Sequence, residues 1–219
     1  MSPRSRALPT TVRTLALLIL TLALAVPVAA APVVGFVAEW AGSSVGSWGT
    51  GGSIYTNPGT GGVGGAADGY LNVATTTTTH LGAVSFGPEY TGDWLAAGIT
   101  RVAFWLRDTG APQALEIHFA VGNGSNFWQS NAGFVPTAVW TQCFVSVESP
   151  AGWTQIIGPG TFADALRNVD RVLVRHDRAP YFQTPDAVRG DFGLDHLELL
   201  SSATAAAIPT WGRLKALYR

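Results

Sequence analysis

Cysteine is almost missing from this chain of 219 residues, which contains one, Cys143. An internal disulfide is therefore excluded, and the fold must depend on its apolar core or on a bound ion. Cys143 lies in "WTQCFVSV" at strand spacing, with no accompanying histidine motif. This context favours a buried packing role over a nucleophile.

Charged residues are also scarce, at 12% of the sequence, and lysine occurs once, at Lys215. Removing the three arginines of the N-terminal segment described below leaves 10 of the 13 basic residues against 14 acidic ones, a formal balance of −4. This balance does not favour nucleic acid or an anionic membrane surface as the main partner.

Recognisable catalytic motifs are absent from the sequence. There is no G-x-S-x-G elbow, no H-E-x-x-H pair and no G-K-[ST] after the glycine-rich segment. "GGVGGA" departs from the calcium-binding nonapeptide because Ala66 stands where aspartate is needed. Glu39, Glu89, Glu116 and Glu148 could be paired only by folding, so an unrecognised glycan-active enzyme ranks third among the functional hypotheses.

The N-terminal segment has the three parts of a secretory signal peptide. Arg4, Arg6 and Arg13 precede the apolar run "LALLILTLALAV", and small residues suited to cleavage follow at Ala29 and Ala31. The run is too short to span a bilayer comfortably. We therefore predict a signal peptide over residues 1–31 and a secreted or cell-surface protein without a transmembrane span after cleavage.

Residues 32–200 have the pattern of one all-β domain. Short apolar runs rich in threonine and aromatic residues are separated by glycine-rich turns. Seven or eight strands without a repeat predict a jelly-roll β-sandwich of two antiparallel sheets. One short helix is expected in "GTFADALRNVD", where Phe162, Leu166 and Val169 follow helical spacing.

Two segments in the middle of the chain alternate clearly between apolar and polar residues. "ITRVAFWLRD" and "ALEIHFAVG" are joined by the short "TGAPQ", which predicts neighbouring strands. Trp105, Arg107, Glu116 and His118 are expected on the outer face, which a jelly roll can present to a ligand. The residues expected in the core are Val102, Phe104, Leu106, Leu115, Ile117 and Phe119.

The C-terminal residues depart from the β pattern. "SSATAAAIP" reads as a linker over residues 201–209, and "TWGRLKALYR" as a short, basic, amphipathic helix over residues 210–219 that Thr210 can cap. Two interpretations stay open for this tethered helix. It is a sorting or docking peptide, or it is a frayed terminus.

The C-terminal half resembles the closing strands of laminin B (domain IV)-type modules and, more broadly, of galactose-binding-like and carbohydrate-binding-module-like sandwiches. "GWTQIIGPGTFADALRNVDRVLVRHD" and "GDFGLDHLEL" carry the resemblance. The matching positions are Leu166, Val169, Leu173, Val174 and Arg175, then Gly193, Leu194, Asp195, Leu197 and Leu199. The resemblance implies a non-catalytic extracellular module for sugar binding, matrix contact or structural spacing.

The stretch "RGDFGLDHLEL" allows three interpretations. As an adhesion tripeptide, Arg189-Gly190-Asp191 is a weak signal because such a match arises readily by chance. In the sandwiches that the chain resembles, the aspartate of the last strand often binds a structural Ca²⁺ with groups near the first strand, which implies Asp195 and Glu39 here. Asp191 is a further predicted ligand, with Asp68 and Asp93 also considered, because calcium needs six to eight oxygens. The third interpretation is a last strand with its turn.

A sugar site is suggested by "NGSNFWQSN", which places Phe127 and Trp128 among amide and hydroxyl side chains. The alternative is that Trp128, like Trp140 and Trp153, packs in the core. The residues predicted to bind a ligand are Trp128, Phe127, Asn126, Trp105, Glu116 and His118.

These observations predict an exported, non-catalytic binding or structural module that acts at the cell surface or in the extracellular matrix. The alternative is a lectin-like carbohydrate-binding module with an aromatic sugar site. The expected partners are a polysaccharide or an extracellular or cell-surface protein, and the expected cofactor is at most structural Ca²⁺.

Overall fold

A computed structural model describes residues 31–49 and 51–202. The described residues form fourteen β-strands and one α-helix. The elements are β1 (Val37–Ala38), β2 (Trp48–Gly49), β3 (Ile54–Thr56), β4 (Leu71–Ala74), β5 (Thr79–His80), β6 (Gly82–Ser85), β7 (Ile99–Asp108), β8 (Ile117–Asn123), β9 (Asn126–Ser130), β10 (Thr141–Ser146), β11 (Trp153–Ile157), α1 (Phe162–Arg167), β12 (Arg171–His176), β13 (Ala187–Val188) and β14 (Asp191–Ser201).

The strands form two principal sheets. Sheet A has the order β10-β7-β14-β4-β3, with β1 also paired to β14, and sheet B has the order β11-β9-β8-β12-β6-β2. A two-stranded ribbon of β5 and β13 stands apart from both. Every strand pairing described is antiparallel. The predicted β-sandwich of two antiparallel sheets is confirmed.

The inner faces of sheets A and B meet in an aromatic core. Phe104 of β7 and Phe119 of β8 stack with ring centroids 6.2 Å apart, and Trp153 of β11 meets Phe119 edge-on at 6.5 Å. The six residues predicted for the core are all buried, because alternation along each strand turns them inward. Cys143 also lies in this core, where burial raises the pKa of its thiol to about 12.

The prediction that β7 and β8 are neighbouring strands is wrong. Strand β7 pairs with β10 and β14 in sheet A, whereas β8 pairs with β9 and β12 in sheet B. The connection between them crosses from one sheet to the other, and the two outer faces therefore look in opposite directions. Consequently, Trp105 and His118 lie on opposite sides of the sandwich.

The predicted helix is present as α1, and its ends follow from its sequence. Thr161 caps the N-terminus by accepting from the backbone N–H of Asp164, whose carboxylate accepts from the Thr161 backbone in return. Phe162 and Leu166 are buried, and Val169 is buried just beyond the helix, as their spacing predicts. The helix therefore closes one end of the core beside β8 and β9.

The predicted signal peptide and the tail at 210–219 lie outside the described residues, apart from Ala31, and so does most of the predicted linker. Within the described ranges, no helix is long and apolar enough to cross a membrane.

Candidate functional site

A groove of about 390 Å³ lies on the outer face of sheet B, which is turned away from sheet A. Its floor and walls come from β6, β9, β11 and β12 and from short loop segments near residues 51 and 183. The apolar side chains that line it are Val84, Phe86, Phe127, Ile156, Ile157 and Leu173. Its polar lining includes His80, Arg171, Arg175 and Gln183.

The alternation of β12 explains how these residues reach one face. Val172 and Val174 are fully buried between the sheets, so Arg171, Leu173 and Arg175 point outward. Leu173 pairs with Val84 of β6 in the neighbouring strand. Residues in register share a face, so this pair forms an apolar floor for the groove.

Arg171 stands at one side of the groove over two aromatic rings. Its guanidinium carbon lies 5.6 Å from the ring centroid of Phe86 and 5.3 Å from that of Phe127. Its Nε is 3.3 Å from Oδ1 of Asp170. Within the described chain this ion pair is the polar contact of the guanidinium, and the two terminal Nη groups have no hydrogen-bond partner. The side chain is 25% exposed and lines the groove.

Arg175, by contrast, makes four hydrogen bonds within the protein and is buried beneath the groove. Its Nη2 donates to Oδ2 of Asp177 at 2.7 Å, and its Nε donates to Gln129. Its remaining N–H groups reach the carbonyl oxygens of Phe182 and Gln183. Arg175 and Asp177 are both buried, and their ion pair neutralises the charge that each would otherwise bring into the protein. This network therefore supports the groove floor and offers a ligand little.

Strand β9 carries three consecutive predicted ligand residues, Asn126, Phe127 and Trp128, whose side chains point to different faces of sheet B. Phe127 lines the groove, whereas Trp128 packs against Phe162 of α1 with ring centroids 5.4 Å apart. The Trp128 Nε1 donates to Oδ1 of Asn126 at 2.8 Å, and Asn126 donates to the carbonyl of Thr161 at 2.9 Å. Asn126 and Trp128 thus fasten the helix to the sheet.

The other three predicted ligand residues lie away from the groove. Trp105 is on the outer face of sheet A, opposite Asp195 of β14. His118 is on the outer side of sheet B but has no exposed surface, because the ring of Tyr181 covers it at 4.9 Å. Its Nε2 is 3.3 Å from Oε1 of Glu116. The six residues therefore do not form one pocket, and ligand binding by those outside the groove stays a prediction.

The glycine-rich loop 57–69 covers the part of the outer face of sheet A around Arg107 and Asp195. Arg107 of β7 lies against two rings, 4.9 Å from the centroid of Tyr70 and 4.8 Å from that of Trp140. Its Nη1 and the Trp140 Nε1 both donate to the carbonyl oxygen of Gly61, at 3.2 and 3.0 Å. These contacts fasten the loop to the sheet.

Asp195 is the second anchor of this loop. Its Oδ2 accepts from the backbone N–H of Val63 and its Oδ1 from that of His196, both at 2.7 Å. The residue has no exposed surface, and burial raises the pKa of its carboxyl to about 6. The two backbone hydrogen bonds act in the opposite direction, and the nearby carboxylates of Asp68 and Glu39 add to the rise.

The predicted metal ligands do not converge. Asp191 and Asp195 are four residues apart on β14, about 13 Å along an extended strand, which is too far for one ion. Glu39 is near Asp195 but contacts His196, with 3.0 Å between Oε1 and Nδ1. The described ranges contain no group of three or more His, Cys, Asp or Glu side chains placed to hold a metal. Calcium binding by Asp195, Asp191 and Glu39 therefore stays a prediction.

Sequence analysis did not place Phe86, Arg171 or Leu173 among the predicted ligand-binding residues. A signal existed in "RVLVRH", where alternation alone separates Val172 and Val174 from the outward residues. The position of Phe86 just past the end of β6 gives no comparable signal, because its ring reaches the groove through the packing of β6 beside β12.

Comparison with known proteins establishes the fold. No family model and no curated protein matches the sequence. The solved CBM22-1 xylan-binding domain of Paenibacillus barcinonensis Xyn10C is similar over 78% of this chain and 99% of its own, with 11% identity and a TM-score of 0.50. An exo-beta-agarase is similar over 77% of this chain and 25% of its own, with 11% identity and a TM-score of 0.55. A family 11 carbohydrate-binding module of Clostridium thermocellum has 18% identity over 77% of this chain and 97% of its own, with a TM-score of 0.48.

The expected resemblance to carbohydrate-binding-module-like sandwiches is therefore confirmed at the level of the fold. The laminin B part of that expectation stays a prediction. The agarase match spans only a quarter of a longer chain, so this fold also occurs as one part of an enzyme.

Proposed function

We propose that this protein is an exported, non-catalytic carbohydrate-binding module whose glycan site is the groove on sheet B. The observation that carries the proposal is an apolar groove with an exposed aromatic ring and an unpaired arginine edge, on one face of a β-sandwich. The fold likeness to a domain described as xylan-binding supports the same function.

The chemistry of the groove suits a sugar chain. Phe86 is 50% exposed, and Val84 and Leu173 continue its apolar surface across the sheet. Such a surface packs against the C–H faces of sugar rings, while polar groups at the edge bind hydroxyl groups or charged substituents. His80, Arg171 and Gln183 supply those polar groups.

The lining also supports a non-catalytic role. Glycoside hydrolysis commonly uses two carboxyl groups on either side of the scissile bond. Among the described residues that line the groove there is no aspartate or glutamate. A ligand in this groove would therefore meet groups that bind it and no acid pair to cleave it.

A matched pair of phenylalanine variants tests the site. Phe86 and Phe144 are exposed to similar degrees, 50% and 45%, and each lies under an arginine. Phe144 is on β10 at the edge of sheet A, remote from the groove. Binding of the full chain to a panel of neutral and acidic polysaccharides would be measured by affinity gel electrophoresis, followed by calorimetry.

We expect at least one polysaccharide to bind, Phe86→Ala to weaken that binding about tenfold, and Phe144→Ala to leave it unchanged. Equal effects of the two variants would remove the groove as the site. If no polysaccharide binds, the proposal fails, and a structural or protein-binding role at the cell surface becomes the better explanation.

A further inference from the structure

We infer that the groove on sheet B selects glycans that carry an anionic group, with Arg171 as the residue that binds it. The inference rests on the proposed function, because it names the ligand class for the same site. The anionic group is a carboxylate or a sulfate on the sugar ring, since a guanidinium recognises both in the same way.

Arg171 and Arg175 line the groove, and its described lining contains no acidic side chain. Asp170 and Asp177, which pair with these arginines, lie just outside that lining. The protein as a whole is slightly acidic, with a formal net charge of −1 and a sequence pI near 6.4. General attraction to polyanions is therefore absent, and a preference for them would have to arise locally.

Arg171 supplies the charge that a ligand can use. Arg175 is buried and paired with buried Asp177 at 2.7 Å, so its charge is compensated within the protein. The partner of Arg171 is the half-exposed Asp170, which approaches only the Nε side at 3.3 Å. The opposite edge, formed by the two Nη groups, is left in the geometry that binds an oxyanion through two parallel hydrogen bonds.

The guanidinium is also held in place before a ligand arrives. Phe86 and Phe127 lie within 5.6 Å of its central carbon, and both rings belong to the groove wall. Cation–π contacts from two rings restrict the side chain, so less conformational entropy is lost when an anion binds.

The groove offers few side chains that could recognise a neutral sugar by its hydroxyl groups. Gln183 is the one amide side chain among its described lining residues, and carboxylates are missing there. Apolar packing alone binds sugar rings with little selectivity, so the strongest directional interaction available is the charge-assisted one from Arg171.

The test compares each acidic polysaccharide with its own neutral derivative. Binding of the full chain to polygalacturonate is measured against its methyl ester, and binding to κ-carrageenan against the same polymer after desulfation, at low and at moderate salt. We expect the charged member of at least one pair to bind about tenfold more tightly, with an affinity that falls as salt rises. The first pair reports a carboxylate ligand and the second a sulfate ligand.

Three arginine variants localise the effect. Arg171→Gln should remove the preference for the charged member, and Arg171→Lys should restore only part of it because lysine lacks the planar fork. Arg101→Gln is the matched control, since Arg101 lies 4.9 Å over Phe144 on the other sheet. Thermal melts of each variant show whether the fold is retained.

Each outcome decides the inference separately from the proposed function. Equal binding of neutral and charged members, lost in Phe86→Ala, would overturn the anionic preference and leave a glycan groove. Charge-dependent binding that survives Arg171→Gln would place the anion elsewhere and also overturn the inference. Absence of binding to any polysaccharide would overturn both proposals.

Discussion

The two outer faces of the sandwich each carry an arginine that lies over two aromatic rings, and only one of these arginines is bound to a loop through its Nη groups. Arg107 on sheet A lies against Tyr70 and Trp140 and donates to a loop carbonyl. Arg171 on sheet B lies over Phe86 and Phe127 and keeps an open edge. The side-chain chemistry is the same, so the difference arises from what covers each face.

The cover on sheet A is the glycine-rich loop 57–69, whose backbone approaches the sheet closely. Gly61 accepts hydrogen bonds from two side chains of the face, and Val63 donates to Asp195. Close backbone approach of this kind requires small residues. On sheet B the loop near residues 181–183 covers His118 and binds Arg175, whereas the Nη groups of Arg171 make no contact with such a loop in the described chain.

The largest expected effect comes from adding a methyl group where the loop meets sheet A. A Cβ at Gly62 would lie 2.8 Å from Oδ2 of Asp195 and in severe contact with the carbonyl oxygen of Gly69. We expect Gly62→Ala to lower the free energy of unfolding by about 3 kcal/mol, because backbone must move to relieve the overlap. Urea denaturation followed by tryptophan fluorescence measures this.

Gly49 on the outer face of sheet B is the matched control. It pairs with Val84, and a Cβ there would meet nothing within 4 Å. Gly49→Ala should change the free energy of unfolding by no more than about 0.5 kcal/mol. Similar losses in the two variants would contradict the contrast between a covered and an open face.

The second prediction concerns pH and the carboxyl of Asp195. Its pKa is about 6 in the folded protein against an ordinary value of 3.8, so folding takes up a proton between these values. The free energy of unfolding should therefore fall as pH rises from about 4 to about 6, by at most about 3 kcal/mol, and then level off. Other groups titrate in the same range, so the decisive quantity is the difference between wild type and Asp195→Asn across pH.

The comparison of wild type with Asp195→Asn also tests whether Asp195 binds calcium. If Asp195 binds calcium, the ion favours the ionised carboxylate, and millimolar calcium should offset the loss of stability that develops between pH 4 and pH 6. Asp195→Asn should then melt at the same temperature with calcium and with excess chelator. A wild-type melting temperature that is also equal in both conditions would remove the calcium hypothesis.

A smaller effect is expected from the two stacked arginines themselves. Arg107→Gln loses two ring contacts and a hydrogen bond to the loop, and should cost about 1.5 kcal/mol of unfolding free energy. Arg171→Gln should cost about 0.5 kcal/mol, because its side chain is partly exposed and its ion pair is solvated. Chemical denaturation of both variants under the same conditions checks the order, and a larger loss for Arg171→Gln would contradict it.

The smallest effect is expected at Trp105, which sequence analysis placed in the sugar site. Because Trp105 faces outward from sheet A, Trp105→Ala should change the affinity for any polysaccharide that binds by less than about twofold. Affinity electrophoresis beside Phe86→Ala gives the comparison. A loss at Trp105 equal to that at Phe86 would show that glycan binds on sheet A.

Local sequence patterns predicted which segments form strands and the helix, but they did not predict which strands pair. Alternation in "ITRVAFWLRD" placed Phe104 in the core, and the Thr161 to Asp164 spacing placed a capped helix. The short connection after β7 predicted that β7 and β8 are neighbouring strands, yet it joins a strand of sheet A to a strand of sheet B. A connection between two sheets can be as short as one between neighbouring strands of a single sheet. The length of a connection therefore does not reveal which strands pair.

Which side chains line the groove likewise depends on the register between paired strands. Phe127 and Trp128 are adjacent and equally suited to a sugar, and only their pairing with β8 decides which ring faces the groove. Phe127 pairs with Gly122 on the outer face, and Trp128 with buried Val121 on the inner one. A shift of one residue would exchange the two roles.

The sequence by itself determined a β-sandwich without crosslinks, the inward positions of its strands and the absence of recognisable catalytic motifs, because these depend on residue type and short spacing. Only the tertiary structure decided which outward face is covered and which is open. That choice rests on contacts between distant segments, such as Val63 with Asp195 and Arg171 with Phe86. No local pattern encodes such contacts, since each partner looks ordinary until the fold brings the other beside it.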